Sequence, residues 1–260
     1  MNILDQLAGH ARERVAQAKQ NCPEDVLENW ARSLPKADFL FEKALRKPGM
    51  SFICECKKAS PSKGVIAEEF PYLQIAKAYE EAGADAISVL TEPKWFLGSD
   101  RYLREIADLV SLPCLRKDFT VDPYMIYEAK LLGASAVLLI CSILKEEQLS
   151  EYIGICESLG LCALVEAHDE AEIKAALAAG ARVIGVNNRN LKDFSVDTEN
   201  SRRLRELVPE DVLFVSESGV QTPEDVAKLR ESGVDAVLIG EALMRASDKR
   251  AMLESLRGAT

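Results

Sequence analysis

Eight short apolar runs recur along this chain, near residues 52–56, 86–90, 114–117, 136–140, 162–166, 183–186, 213–216 and 236–239. Their ends are spaced by roughly 20 to 33 residues, the length of a strand, a loop, a helix and a second loop. Amphipathic stretches fill the gaps, and several close on a glycine just before the next run: Gly83, Gly133, Gly180 and Gly233. Glycine past the last helical turn takes the left-handed C-cap conformation without strain. Eight such units close into a (β/α)8 TIM barrel more naturally than they spread into an open sheet. A doubly wound sheet usually has six strands; here no G-x-G-x-x-G follows the first run, and no P-loop pattern occurs.

Before the first run lies a stretch that reads as helical. Asn2 is placed to cap a helix running through about Lys19, with Ile3, Leu4, Leu7, Ala8, Ala11, Val15 and Ala18 on one apolar stripe. A second helix opens at Pro23 and a third covers 39–45, before Lys47-Pro48-Gly49 breaks into the first strand. The expected organisation is one domain over 1–260: an N-terminal helical extension, 1–48, on a barrel, 49–260.

The formal charge of −10 argues against nucleic acid, whose phosphates demand clustered Lys and Arg. It also means that an anionic small molecule would need a local positive pocket. No apolar stretch approaches the roughly 20 residues of a membrane span, and residues 1–6 carry no basic signal-peptide region. Seven cysteines, an odd count with no CxxC pair, read as reduced thiols rather than a zinc site or a disulfide framework. A cytoplasmic location follows from that reading.

Chemistry is concentrated where the runs end. The first closes on Glu55-Cys56-Lys57-Lys58 and enters a Ser/Pro/Gly loop; the others close on Arg116-Lys117-Asp118, Val165-Glu166, Asn187-Asn188 and Ser216-Glu217-Ser218-Gly219. Charged side chains are seldom fully buried unless paired, and in a barrel the loops after the strands build the active site. Glu55 and Lys57 share a strand face, which suits either an internal ion pair or a pair opening into the barrel mouth. Lys117, flanked by Arg116, is expected to have its pKa lowered by like charge and desolvation, which suits a general acid or a Schiff-base nucleophile. Glu166 is a candidate base, and His168 a weaker one. Asn187 and Arg189 supply amide and guanidinium groups, the latter suited to a carboxylate or phosphate. Ser218, Gly219, Gly240 and Glu241 follow the last two strands, the usual phosphate site of this fold.

Taken together, Glu55-Cys-Lys-Lys-Ala-Ser-Pro-Ser-Lys-Gly64, Ser88-Val-Leu-Thr-Glu92 with Phe96-Leu-Gly98, Leu115-Arg-Lys-Asp-Phe119, Val165-Glu-Ala-His168, Gly185-Val-Asn-Asn-Arg-Asn190 and Ser216-Glu-Ser-Gly219 resemble the indole-3-glycerol phosphate synthase family of tryptophan biosynthesis. The resemblance covers nearly the whole chain. It implies a carboxy-lyase that closes the pyrrole ring of 1-(2-carboxyphenylamino)-1-deoxyribulose 5-phosphate with loss of carbon dioxide and water. It further implies Lys117 as general acid, Glu166 as base supported by Glu55 and Asn187, and Lys57 as anion anchor and second acid. Ser60, Phe119 and Arg189 then match substrate contacts, with Phe119 against the anthranilate ring, and Ser218, Gly219, Gly240 and Glu241 match the phosphate loops. Lys63-Gly64 falls in a first loop expected to close over substrate. No metal or organic cofactor is implied, no fused isomerase barrel is expected, and the partner is a small anionic substrate bound by a monomer or weak homo-oligomer. The alternatives are other sugar-phosphate barrels: a Schiff-base aldolase type, or one like phosphoribosylanthranilate isomerase, whose chemistry usually needs a Cys/Asp pair at strand ends.

Overall fold

The computed structural model describes residues 3–189 and 195–258. Eight parallel strands close a barrel: β1 (Ser51–Cys56), β2 (Ala86–Leu90), β3 (Cys114–Lys117), β4 (Ala136–Ile140), β5 (Cys162–Ala167), β6 (Val183–Asn187), β7 (Leu213–Glu217) and β8 (Ala236–Ile239). Each strand pairs with its chain neighbours, and β8 returns to β1 with Ser51 opposite Ala236. A barrel strand is covered by helices outside and filled by side chains inside, so it reads as continuous apolar sequence. That is why the eight runs were visible. Every residue of β1, β2, β4 and β8 is buried.

Helices α1 (Ile3–Asn21), α2 (Glu24–Ser33) and α3 (Leu40–Leu45) precede the barrel. Asn2, expected to cap α1, lies outside the described residues, as does Asn190. The buried face of α1 is Leu4, Leu7, Ala8, Ala11 and Val15, the stripe marked by its periodicity. Outside the barrel run α4 (Tyr72–Glu81), α5 (Asp100–Leu109), α6 (Pro123–Leu131), α7 (Glu146–Leu159), α8 (Glu170–Ala178), α9 (Glu199–Arg205), α10 (Pro223–Glu231) and, after β8, α11 (Glu241–Arg245) and α12 (Lys249–Arg257). The four glycines singled out as helix ends all have positive φ, between 75° and 88°. All seven cysteines are free; five are buried, and Cys22 and Cys141 half-buried. Among the described residues no helix is long and apolar enough to cross a membrane.

Candidate active site

In this fold the barrel interior is filled by layers of four side chains drawn from alternate strands. At the C-terminal end of the odd strands, that layer is Glu55 (β1), Lys117 (β3), Glu166 (β5) and Glu217 (β7). The ladder register climbs two residues from each of these to the next, and the climb closes on itself after one circuit. Three carboxyl groups and one ammonium therefore stand where a hydrocarbon layer would pack. The even strands supply the rim of the cavity above: Leu90, Ile140, Asn187 and Gly240.

The four groups sort themselves by contact. Lys117 Nζ donates to Glu217 Oε2 at 2.9 Å and lies 3.7 Å from Glu55 Oε2. The other Glu55 oxygen pairs with Lys57 Nζ at 2.8 Å, and Ser88 Oγ donates to Glu55 at 3.3 Å. Burial alone would raise the Glu55 pKa, but Lys57 and Lys117 outweigh it and hold the carboxyl below its ordinary value. At Glu217 burial wins, reinforced by Glu166 and Glu55 and opposed by Lys117, and the pKa is pushed up to about 7.

Lys117 corrects an expectation. Its neighbour Arg116 was expected to crowd it and lower its pKa. Instead Arg116, one residue away, faces outward, where its Nη2 bonds Asp100 at 2.7 Å and Glu128 at 2.6 Å. Burial does press the Lys117 pKa down, but Glu217, Glu55 and Glu166 press harder, so the net shift is upward. Lys117 is an ammonium at neutral pH, equipped to give a proton and not to attack a carbonyl as a free amine.

Glu166, 3 % exposed, is held from the rim. Asn187 Nδ2 donates to its Oε2 at 3.4 Å, while Asn187 Oδ1 accepts from Ser218 Oγ and from the Arg189 backbone N–H, both at 3.0 Å. Those two bonds fix which way the amide points. Ser218 has φ of +66°, uncommon for a residue with a side chain, and its carbonyl accepts from Asn188 Nδ2 at 3.1 Å. The next residue, Gly219, has φ of +90°, and a Cβ there would meet Val196 and Thr198 at 2.7 Å. At Gly240 a Cβ would press on Glu55 Oε1 at 2.7 Å and Lys57 Nζ at 2.8 Å. Glu241 turns its carboxylate to Arg245 Nε at 3.1 Å, with Lys63 Nζ 3.8 Å away.

Twelve residues singled out from sequence line one cavity of about 750 Å³: Glu55, Lys57, Ser60, Lys117, Phe119, Glu166, Asn187, Arg189, Ser218, Gly219, Gly240 and Glu241; His168, the weaker candidate base, is not in that lining. Phe96 and Phe119, ring centroids 6.0 Å apart, are part of its apolar lining, as are Leu90 and, from α1, Ile3 and Leu7. Trp95 is turned toward the N-terminal helix, edge-on to His10 at 5.5 Å.

Sequence reasoning missed three contributors. Glu217 was quoted only within a phosphate-loop motif; as the residue ending the fourth odd strand, it was legible from the same alternation that marked the other three. Gly185 gives no chemical signal, yet a Cβ there would overlap Glu217 Oε1. Arg14 of α1 grips Asp118 at 2.6 and 3.1 Å across 104 residues of sequence, and no local pattern announces that pair.

The sequence model of the family described as indole-3-glycerol phosphate synthase matches residues 4–256. An indole-3-glycerol phosphate synthase of Ruminiclostridium cellulolyticum is 58% identical over 257 residues, covering 98% of this chain and 99% of that protein. One from Lachnoclostridium phytofermentans is 51% identical, with 98% of each chain covered. Among solved structures, a 3-hexulose-6-phosphate synthase superposes with a TM-score of 0.66 at 15% identity, over 80% of this chain and 98% of its own. That last likeness is one of fold.

Proposed function

Because this chain belongs to the indole-3-glycerol phosphate synthase family and catalyses its ring closure in tryptophan biosynthesis, we propose how its own residues divide the work. The reaction converts 1-(2-carboxyphenylamino)-1-deoxyribulose 5-phosphate to indole-3-glycerol phosphate with loss of carbon dioxide and water. Lys117 gives its proton to the ketone oxygen as the aryl carbon bearing the carboxylate attacks the carbonyl carbon. Carbon dioxide then leaves, and its bonding pair restores the aromatic ring. The new hydroxyl departs as water with a second proton, for which Lys57 is placed. Glu166 takes one proton from the methylene carbon beside the nitrogen, completing the indole. Two protons enter and one leaves, which balances the loss of a carboxylate as neutral carbon dioxide.

The observation that carries this reading is the different set of partners held by two groups in one charged layer. An ammonium held charged by three carboxyl groups faces a carboxylate held by an amide rather than by a lysine. Phe119 and Phe96 bound the end suited to the anthranilate ring. Ser60, Arg189, Ser218, Gly219, Gly240 and Glu241 surround the polar end, suited to the ribulose phosphate. Glu217 holds Lys117 in place. The raised Lys117 pKa speaks against the aldolase alternative, which needs a neutral amine. The N-terminal helices and the barrel act as one unit, because α1 lines the same cavity. The free thiols fit a cytoplasmic enzyme, and the acidic composition fits one that binds no nucleic acid; we assign it to the cytoplasm as a monomer or weak homo-oligomer.

Purified protein mixed with the substrate in chelator should produce indole fluorescence. Lys117→Ala and Glu166→Gln should each lower turnover by about 10²- to 10⁴-fold, the range of general acid–base catalysis. Near-wild-type turnover in either folded variant would remove that residue from its role. A borohydride-stable adduct on Lys117 would instead revive the aldolase mechanism.

A further inference from the structure

His168 lies two residues beyond Glu166, at the C-terminal mouth of β5. Its Nδ1 is 3.1 Å from Glu172 Oε2 on α8, and the same oxygen accepts the His168 backbone N–H at 2.8 Å. Asn200 Nδ2 donates to the His168 carbonyl at 3.1 Å, so the residue is pinned from α9 as well. A carboxylate can only accept, so Nδ1 carries a proton. The other ring nitrogen, Nε2, is buried, has no hydrogen-bond partner, and stands 3.5 Å from Glu166 Oε1. A neutral ring would turn the Nε2 lone pair toward that carboxylate oxygen. Only the doubly protonated ring offers an N–H to both Glu172 and Glu166.

We infer that His168 is a positioning residue for the base: an imidazolium clamped by Glu172 that holds Glu166 Oε1 while Asn187 holds Oε2. The inference rests on the assignment of Glu166 as base. The carboxylate is then gripped at both oxygens by groups from different elements, with its remaining face open to the cavity. The charged neighbours are consistent with a persistent cation. Glu172 faces His168 from α8, Glu166 from β5 and, at longer range, Glu217 from β7. Around Glu166 the charged groups are His168, Lys117 and Glu217, with the neutral Asn187 amide and the Cys141 thiol nearby. Burial pulls the imidazole pKa down, but Glu172 and Glu166 together raise it to about 9. At neutral pH the clamp is closed.

The chain has two histidines, His10 and His168, so imidazole NMR signals are readily assigned by one substitution. The His168 ring should titrate well above the ordinary histidine range in the wild type. In Glu166→Gln its midpoint should fall by about one pH unit, as expected on removing an opposite charge within reach. The kcat/KM profile gives the functional readout. His168→Gln should move its acid limb to higher pH by about one unit, while KM stays within about twofold. His168→Arg, which keeps the positive charge, should leave the limb where the wild type has it. Glu172→Gln should shift it as His168→Gln does, less strongly, and serves if His168→Gln does not fold. An unmoved limb in folded His168→Gln, with Glu166→Gln inactive, would overturn the clamp and leave the base intact. A fully active Glu166→Gln would instead remove the base assignment on which the inference stands.

Discussion

Arg14→Met tests whether the N-terminal extension is part of the catalytic architecture. Asp118 stands between Lys117 and Phe119 and is fully buried. Its carboxylate accepts from Arg14 Nη2 at 2.6 Å and Nη1 at 3.1 Å, from Thr91 Oγ1 at 2.6 Å and from the Phe119 N–H at 2.8 Å. Removing one partner of a buried ion pair costs about 3–5 kcal/mol. Two discounts apply: Arg14 is 23% exposed, and Thr91, the Phe119 amide and the field of Arg116 remain. That leaves a loss of about 2–3 kcal/mol, or a fall in Tm of about 4–10 °C for a chain of this size.

The deficit has a pH signature. Burial raises the Asp118 pKa, but Arg14 and then Arg116 lower it further than burial raises it. A depressed native pKa contributes stability that is present above the unfolded-state value and lost as pH falls through the native one. The gap between wild type and variant should therefore be full at neutral pH and narrow below about pH 4. Asp118→Asn should cost clearly less in the Arg14→Met background than it does alone, because no charge is then left unpaired. Since Ile3 and Leu7 line the cavity, KM should rise more than kcat falls. Calorimetry on the four proteins of this cycle decides it. A Tm change under about 2 °C, or strictly additive costs, would refute the argument.

Two further outcomes follow from the charged layer. Glu217→Gln should cut kcat by about tenfold or more by loosening Lys117, yet gain stability relative to wild type as pH rises. A carboxyl whose native pKa is raised from 4.5 to about 7 binds its proton more tightly folded than unfolded, so wild-type stability declines through that window by at most about 3 kcal/mol; a Tm difference that stays constant between about pH 5 and pH 8 would contradict this. Gly185→Ala would drive its Cβ into Glu217 Oε1, and kcat should fall by about tenfold or more as Glu217 and Lys117 shift while circular dichroism stays native; full activity would show that the carboxylate has room to move.

The sequence by itself determined the architecture and most of the site. Strand and helix announce themselves locally, because period and apolar content depend on near neighbours, and eight repeats leave little freedom of topology. Glu55, Lys57, Lys117, Glu166 and Asn187 were legible because a polar residue closing an apolar run has no packing explanation. What the tertiary structure alone decided was electrostatic and long-range. Whether Lys117 is raised or lowered depends on which carboxylates lie across the barrel, not on Arg116 beside it in the chain. Glu217 ends its strand as visibly as the other three, but only the closed barrel brings it across to Lys117, 2.9 Å away. Arg14 reaches Asp118, and His168 reaches Glu166 and Glu172 together, through folding. Local pattern fixes which residues end each strand; the sign and strength of their interactions fall off with distance in space, and only the closed barrel sets those distances.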